Sequence, residues 1–246
     1  MTVRQLPLGL RLPDRAVFAS FVPGPNTEAL RHAQQLAAGA GATLSWFCGP
    51  PGAGKTHLLQ AICAGGHEAA RRSYLPLREA AALGPGVLEG LSSLDCLCLD
   101  DVEAVSGDGA WERGLFALLR ECEENGARLV LAAAEAPGRL TWALPDLRSR
   151  CAAGAVLTLR LLDEPGQQLA LRRRAELRGL ELPEETVHWL QRRFPRDMRT
   201  LYELLDTLDV AGLAAQRRLT VPFIREVLGA SARRTQLHGE HGDASP

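Results

Sequence analysis

The sequence predicts an α/β protein: a three-layer αβα domain around a parallel sheet, followed by a small all-α domain. Up to about residue 160, short apolar segments alternate with longer amphipathic ones, a pattern typical of βαβ units with right-handed crossovers. Beyond that point the strand patterns stop and only helical periodicity continues. A chain of 246 residues has room for one large domain and a smaller companion.

The first domain, residues 13–160, is predicted to hold three strands and the helices between them. Each strand is a short run of apolar residues, and each helix shows apolar positions at helical spacing. In chain order the predicted elements are helix Asn26–Ala38, strand Thr43–Cys48, helix Lys55–Ala64, strand Leu94–Leu99, helix Trp111–Asn125 and strand Arg128–Ala133.

The second domain, residues 161–229, is predicted to be entirely helical. Its helical patterns lie at Pro165–Leu177, Pro183–Arg193, Arg196–Ala211 and Val221–Leu228. The third pattern places one leucine face at i, i+3, i+4 and i+7: Leu201, Leu204, Leu205 and Leu208. Residues 1–12 lack a helical period and are predicted to form an extended arm, and residues 230–246 are predicted to be a disordered tail.

Charge and cysteine content exclude several classes of protein. The formal net charge of −1 gives no global field for nucleic acid or an anionic membrane. The sequence has neither the apolar length of a membrane span nor the apolar core of a signal peptide near its start, so we expect a cytoplasmic protein. The six cysteines form no CxxC pair, which favours buried free thiols over a zinc site or a disulfide framework.

A glycine-rich motif follows the first predicted strand and opens a helix. It reads Gly49-Pro50-Pro51-Gly52-Ala53-Gly54-Lys55-Thr56 and matches G-x-x-x-x-G-K-[ST]. Its backbone N–H groups and the helix N-terminus can face phosphates, Lys55 can bridge the β and γ oxygens, and the Thr56 hydroxyl can ligate Mg²⁺. Lys55 is the only lysine beside 27 arginines. We predict binding of ADP or ATP with Mg²⁺, and we include the adjacent His57 in the nucleotide-binding set.

Two aspartates follow the second predicted strand. A phosphate loop needs a second carboxylate on the metal side at the end of a neighbouring buried strand, and Asp100 is predicted to be that Mg²⁺ ligand. Asp101 is predicted to orient or deprotonate an attacking water, although glutamate is the commoner residue in such ATPases. The alternative is that both are turn residues at a strand end.

These motifs together resemble an AAA+ module of the bacterial initiator DnaA type. Besides the phosphate loop and the Asp-Asp strand, the resemblance rests on Leu147-Arg148-Ser149-Arg150 before an apolar strand and on Arg196-Asp197-Met198-Arg199-Thr200-Leu201 opening a lid helix. It covers roughly residues 13–229. Within that group the chain is similar to the Hda family of DnaA-homologous regulators, including at Arg178-Gly179-Leu180-Glu181-Leu182-Pro183 and Leu219-Thr220-Val221-Pro222-Phe223.

The resemblance assigns roles to two arginines. Arg150 matches the box VII arginine finger, a guanidinium that reaches the γ-phosphate held by a neighbouring subunit. Arg199 matches the sensor 2 arginine, which reaches from the lid to the protein's own nucleotide. On spacing alone, both would be interpreted as exposed surface charges.

One departure from the family pattern concerns catalysis. The third strand runs into Ala132-Ala133-Ala134-Glu135, where the family usually carries a polar sensor 1 residue that holds the lytic water. Alanine cannot polarise water. We therefore expect slow intrinsic hydrolysis and a nucleotide site that acts as a conformational hold, with bound ADP as in the resembled family.

The arm contains Gln5-Leu6-Pro7-Leu8-Gly9-Leu10, which resembles the peptide that docks on the replicative sliding clamp, the beta subunit of DNA polymerase III. Pro7 favours an extended backbone at Leu6, so Leu8 and Leu10 can enter one apolar pocket while the Gln5 amide forms a directional hydrogen bond. The alternative is an N-terminal segment that folds onto the domain.

The resemblance implies a negative regulator of replication initiation. It would bind the DNA-loaded clamp through Gln5, Leu6, Leu8 and Leu10 and stimulate hydrolysis of ATP on the DnaA initiator, leaving inactive ADP-DnaA. A helix-turn-helix DNA-reading domain is not expected after the lid, so contact with DNA would be indirect or weak and the protein would associate with the replisome. A homo-oligomer is compatible with this hypothesis. The alternatives are a free-standing ATPase such as a DnaC-like helicase loader, and a DnaA-binding adaptor.

Overall fold

The computed structural model describes residues 16–66, 69–194, 198, 200–202, 204–205, 207–208 and 220–226. The chain divides into two compact units between Leu161 and Leu162. Several parts of the sequence-based predictions lie outside the described residues: the arm with Gln5, Leu6, Leu8 and Leu10; Arg199 of the lid; much of the predicted helix Arg196–Ala211; the end of the predicted helix Val221–Leu228; and the tail.

The first unit alternates strands with helices. Its strands are β1 (Leu44–Cys48), β2 (Arg72–Pro76), β3 (Cys96–Asp100), β4 (Arg128–Ala133) and β5 (Ala155–Thr158). Its helices are α1 (Thr27–Ala37), α2 (Lys55–Ala64), α3 (Leu77–Ala80), α4 (Gly109–Asn125) and α5 (Pro145–Ala153).

All five strands form one parallel sheet in the order β2-β3-β4-β1-β5. β1 lies between β4 and β5, with Trp46 opposite Leu131 on one side and Val156 on the other. Parallel pairing brings the carboxyl ends of all strands to one edge of the sheet. The end of β1, which carries the phosphate loop, therefore lies on the same edge as Asp100.

Side chains alternate between two cores on opposite faces of the sheet. In β1, Trp46 belongs to one core and Phe47 to the other, and both are fully buried. The Trp46 core contains residues of α4 and α5: Leu115, Leu118, Leu119, Cys122, Leu147 and Cys151. The Phe47 core contains residues of α1 and α2: Ala33, Leu36, Leu58, Leu59 and Ile62. The predicted three-layer αβα architecture is confirmed.

Local sequence explains where α4 begins and ends. The Asp108 side chain caps its start by accepting hydrogen bonds from the backbone N–H groups of Ala110 and Trp111. Gly126 ends the helix with a φ of 70°, a left-handed conformation that glycine adopts without steric cost.

The second unit is helical in its described residues. It contains α6 (Glu164–Leu177) and α7 (Glu184–Arg193), and residues 221–226 form a further helical segment. Leu201, Leu204, Leu205 and Leu208 of the predicted leucine face are all buried, in agreement with their spacing. Among the described residues, none of the helices combines the length and the apolar character that crossing a bilayer requires.

The structure differs from the predicted elements at several places. It has five strands where bounds were predicted for three, and β5 is the apolar strand expected after Arg150. β2 was not predicted because its residues Arg72–Pro76 are only half-buried, so no apolar run marks them. β3 begins at Cys96, because Leu94 and Asp95 belong to the preceding turn, and it includes Asp100, which pairs with Pro76. Helix α5 was not predicted because only Leu147 and Cys151 of its nine residues are buried.

Glu112 of α4 is a buried carboxylate, 0% exposed. One oxygen accepts hydrogen bonds from the backbone N–H groups of Gly107 (2.6 Å) and Ala143 (3.0 Å). The other oxygen accepts one from Leu144 (2.6 Å), the residue before the first residue of α5. Glu112 thus connects two loops to α4 and fixes the point where α5 begins.

Replacement of Glu112 by alanine is expected to lower the free energy of unfolding by about 2 kcal/mol or more, because three backbone donors lose an ionised acceptor. Urea denaturation followed by tryptophan fluorescence measures this change. Glu124→Ala is the matched control, since the one ion pair of Glu124 within the described residues is an exposed one with Arg120, and its loss should cost under about 0.5 kcal/mol. Equal denaturation midpoints for the two variants would contradict the assignment.

Candidate functional site

The loop between β1 and α2 has a backbone that only glycine fits at two positions. At Gly49 (φ 148°), a Cβ atom would lie 2.4 Å from the carbonyl oxygen of Leu159. At Gly54 (φ 97°), it would lie 2.8 Å from the ring of Phe21. Neighbouring atoms pack closely against the loop at both glycines, so a side chain at either position would clash. Because these glycines have no Cβ atom, phosphate oxygens can approach the backbone N–H groups of the loop closely.

The residues between Gly49 and Gly54 complete the turn of the loop. Ala53 is buried and donates its N–H to the carbonyl of Pro50 at 3.2 Å, which closes the turn. Pro50, Pro51 and Gly52 are exposed, and Gly52 also has a positive φ of 81°. The predicted phosphate-binding residues are therefore contiguous in space, on the edge of the sheet that holds Asp100.

Lys55 points its ammonium group into this loop. Nζ donates hydrogen bonds to the carbonyl oxygens of Gly49 (2.6 Å) and Pro50 (3.2 Å), and the residue is 9% exposed. Burial lowers the pKa of Lys55, while the carboxylates of Asp100, Glu103 and Asp101 act in the opposite direction. The one lysine of the chain is thus a compact cation inside the loop, where phosphate oxygens can replace the two carbonyl acceptors.

Asp100 at the end of β3 is the most heavily hydrogen-bonded carboxylate of the site. Its Oδ2 accepts hydrogen bonds from the Thr56 hydroxyl at 2.7 Å and the Tyr74 hydroxyl at 3.0 Å. Its Oδ1 accepts one from the Asp101 N–H at 3.0 Å. Burial raises the pKa of Asp100, and these hydrogen bonds oppose that shift by stabilising the ionised form.

Thr56 and Asp100 fit a magnesium ion, because they bring a hydroxyl and a carboxylate oxygen together beside the phosphate loop. When bound there, magnesium would neutralise phosphate charge. Tyr74 is a neighbour of this pair that the sequence analysis missed, because it lies on the unpredicted strand β2. Burial is the largest of the causes that raise the pKa of Tyr74, so its hydroxyl stays protonated and donates to Asp100.

Asp101 adopts a left-handed backbone with φ 55°, unlike every other described residue that is not glycine. Its carboxylate accepts a hydrogen bond from Nε of Arg78 at 3.2 Å, and the same guanidinium lies 3.7 Å from Glu103. The hydrogen bond to Asp101 raises the pKa of Arg78. Asp101 therefore lies next to Asp100, as predicted, but its carboxylate is ion-paired. Arg78 was not predicted because it follows β2 in a region without a recognisable pattern.

The end of β4 carries no polar side chain in its last residues. Ala132 and Ala133 are fully buried, and Ala134 uses only its backbone, donating its N–H to Glu103 (3.3 Å) and accepting from the N–H of Gly49 (3.2 Å). Glu103 is the polar side chain that contacts this strand end, and the sequence analysis did not identify it. It comes from the turn after β3, so its role depends on tertiary contact.

His57 contacts the segment that precedes α1. Its Nε2 lies 3.0 Å from the carbonyl oxygen of Val17 and 3.1 Å from the Ser20 hydroxyl, and its ring meets Phe21 edge to face. Because a carbonyl oxygen only accepts, Nε2 carries the proton in the Val17 contact. His57 thus secures the segment whose Phe21 ring packs against Gly54.

Arg150 lies on α5 with its side chain 42% exposed. Its guanidinium is 2.7 Å from Glu123 and 5.4 Å from the ring centroid of Phe116, both on α4. The structure brings Lys55, Thr56, Asp100 and Asp101 together, whereas the partners of Arg150 within the described residues, Glu123 and Phe116, lie on α4. The second predicted arginine, Arg199, lies outside the described residues.

Comparison with known proteins finds similarities over both units. The family model described as "Hda, lid domain" matches residues 164–228. Domain III of the replication initiation protein DnaA from Thermotoga maritima is similar at a TM-score of 0.71 and 25% identity, with 89% of this chain and 97% of that chain covered.

Two further solved structures share the fold. AMPPCP-bound DnaA from Aquifex aeolicus has a TM-score of 0.65 and 21% identity, covering 92% of this chain and 71% of that chain. The RuvB Holliday junction branch migration motor of Thermotoga maritima has a TM-score of 0.57 and 18% identity, covering 87% and 73%. The first unit is thus similar in fold to DnaA domain III and the lid segment is similar to that of Hda, in agreement with the resemblance to AAA+ proteins of this type that the sequence motifs indicated.

Tyr74→Phe removes one hydrogen bond that stabilises the ionised form of Asp100, so the pKa of Asp100 is expected to rise further. A carboxylate ligand must be ionised, and magnesium-dependent ADP binding should be lost as pH falls through that pKa. The midpoint of the loss should therefore move to higher pH in the variant.

The measurement is the fluorescence of a labelled ADP analogue titrated from neutral to acidic pH, with and without magnesium. Tyr202→Phe is the matched control, because Tyr202 is the only other tyrosine and lies in the second unit beside Arg174. An unchanged midpoint in Tyr74→Phe would show that this hydroxyl does not tune Asp100.

Proposed function

We propose that this chain is a regulator of the DnaA initiator that stimulates hydrolysis of DnaA-bound ATP. The observation that carries the proposal is the match of the lid segment to the Hda lid-domain model, on a chain whose fold is that of DnaA domain III. The product would be ADP-DnaA, which is inactive, so the protein would inhibit a further round of replication initiation.

Arg150 supplies the catalytic group in this proposal. It is exposed on α5, so its guanidinium is accessible to a nucleotide held by another protein. Charge develops on the γ-phosphate oxygens in the transition state, and an arginine supplied in trans can be worth about 10³-fold or more in rate. Arg150 would therefore complete a site on DnaA that hydrolyses ATP slowly by itself.

The protein's own nucleotide site would stabilise one conformation of the first unit and would hydrolyse its nucleotide only slowly. Gly49, Gly54 and Lys55 form the phosphate loop and support binding of ADP or ATP. Two features argue against fast turnover: Ala132–Ala134 offer no polar side chain at the strand end, and Arg78 pairs with the carboxylate of Asp101. Bound ADP would keep the first unit in one conformation, with Arg199 as a proposed phosphate contact from the lid.

The N-terminal arm would connect the regulator to replicated DNA. Gln5, Leu6, Leu8 and Leu10 are proposed to occupy the peptide-binding pocket of the DNA-loaded sliding clamp, with Pro7 keeping the backbone extended. Attachment to the clamp raises the local concentration of Arg150 near DnaA on the same DNA, which adds stimulation without any new contact. DNA itself would be contacted weakly or only through the clamp.

The decisive experiment loads DnaA with labelled ATP and follows its conversion to ADP in the presence of this protein, with and without clamp on DNA. Conversion of ATP to ADP that requires both this protein and the DNA-loaded clamp would support the proposal. Rapid ATP turnover by this protein alone would favour a free-standing ATPase such as a helicase loader. Binding to DnaA without any change in its nucleotide would favour an adaptor.

Arg150→Ala is expected to abolish stimulation of ATP hydrolysis, a loss of about 10³-fold at full occupancy, because no other group replaces the trans cation. Clamp binding and ADP binding should be unchanged. Arg148→Ala is the matched control, since it removes an exposed arginine from the same helix. Full stimulation by Arg150→Ala would rule out the finger role.

Gln5→Ala is expected to abolish retention of the protein on immobilised clamp, because the amide provides the directional hydrogen bond of the docking peptide. Stimulation should then fall to the level seen without clamp, while ADP binding stays intact. Gln34→Ala, an exposed glutamine on α1, serves as the control. Unchanged retention of Gln5→Ala on the clamp would refute the tether.

A further inference from the structure

The guanidinium of Arg150 already has two partners within its own chain. Its Nη1 lies 2.7 Å from Glu123 Oε2, and its Cζ lies 5.4 Å from the centroid of the Phe116 ring. The side chains of Arg150 and Glu123 are 42% and 45% exposed, so the pair lies at the surface and remains open to solvent. We call Phe116 and Glu123 the α4 seat.

The α4 seat is part of a larger arrangement on one helix. Glu112, Phe116 and Glu123 follow each other at intervals of four and seven residues, which keeps them on one side of α4. Glu112 binds the backbone at Ala143 and Leu144, directly before α5. One face of α4 therefore sets both the start of α5 and the position of its arginine.

Comparison with Arg148, the other exposed arginine of α5, shows that contact with the α4 seat is specific to Arg150. Arg148 is exposed on the same helix, and no ion pair or ring contact of its side chain occurs within the described part of the chain. Leu147 and Cys151 bury the inner side of α5. Only one of the two exposed arginines of α5 is thus held against α4.

We propose that the α4 seat restrains Arg150 in a resting position and that Arg150 leaves it when a partner's phosphate group approaches. This inference rests on the proposed finger role of Arg150. The Glu123 carboxylate compensates part of the charge of the Arg150 guanidinium and competes with a second anion for it. A nucleotide phosphate group carries more negative charge than one carboxylate, so it can compete for the arginine once the partner brings it close.

The exposure of the seat makes this exchange feasible. A half-exposed ion pair and a surface cation–π contact are each weak, and breaking a buried pair would leave an unpaired charge in the core. Loss of the Glu123 carboxylate should therefore raise the population of released Arg150 by about two- to fivefold. Stimulation of hydrolysis at a limiting concentration of the regulator should rise by a similar factor.

The test compares Glu123→Gln with Glu124→Gln. Both variants remove one negative charge near the C-terminal end of α4, but Glu124 pairs with Arg120 and not with Arg150. The first readout needs no partner protein: the rate at which an arginine-specific dicarbonyl reagent, p-hydroxyphenylglyoxal, modifies Arg150, followed by peptide mass spectrometry with Arg148 as the internal reference. The second readout is the conversion of DnaA-bound ATP to ADP.

The expected result is a severalfold increase in both readouts for Glu123→Gln and in neither for Glu124→Gln. An unchanged ratio of Arg150 to Arg148 modification would overturn the inference. So would faster modification with unchanged or slower hydrolysis, provided that Arg150→Ala abolishes stimulation, because Glu123 would then not restrain the finger. If Arg150→Ala retains stimulation, the proposed function fails instead, and the modification ratio alone decides whether the seat holds the arginine.

Discussion

The contact between the Thr56 hydroxyl and the Asp100 carboxylate is the point on which the nucleotide-binding edge depends. It joins the first turn of α2 to the end of β3, and Tyr74 adds β2 to the same carboxylate oxygen. A carboxylate that is 2% exposed can remain ionised only if donors replace the water that burial removes. These hydrogen bonds therefore oppose the rise that burial causes in the pKa of Asp100, and at the same time they fix three elements relative to one another.

The positions of lysine and arginine in the first unit also depend on burial: the lysine is buried, and the arginines that form ion pairs lie at the surface. Lys55 is 9% exposed and satisfies its ammonium with two loop carbonyls, a task suited to a compact cation with freely rotating donors. Arg78 and Arg150 lie at the surface, where a planar guanidinium can pair with one carboxylate and still contact a second carboxylate or a ring. Position, and not the total charge of the chain, determines what each cation can do.

Sequence patterns predicted the parts of the fold that depend on local periodicity. The bounds of α2 and β4 match their predictions because each begins and ends where an apolar pattern does. β2 and α5 escaped prediction because an edge strand and a surface helix bury too few side chains to leave a pattern. The missed site residues follow from this: Tyr74 and Arg78 lie on or beside β2, and the partners of Arg150 lie on a helix more than twenty residues earlier.

Two ion pairs outside the phosphate loop, Arg78 with Asp101 and Arg150 with Glu123, concern different parts of the proposed function. At the end of β3, Arg78 pairs with the carboxylate of Asp101, the residue proposed to activate water for the protein's own nucleotide. On α4, the carboxylate of Glu123 pairs with the guanidinium of Arg150, the residue proposed to act on a partner's nucleotide. Both contacts are exposed and therefore reversible. Under the proposed function, the first contact would keep hydrolysis of the protein's own nucleotide slow, so that bound ADP would persist. The second contact would hold the Arg150 guanidinium until a more highly charged anion competes for it. A protein that acts on the nucleotide of a partner, as proposed, would need both restraints.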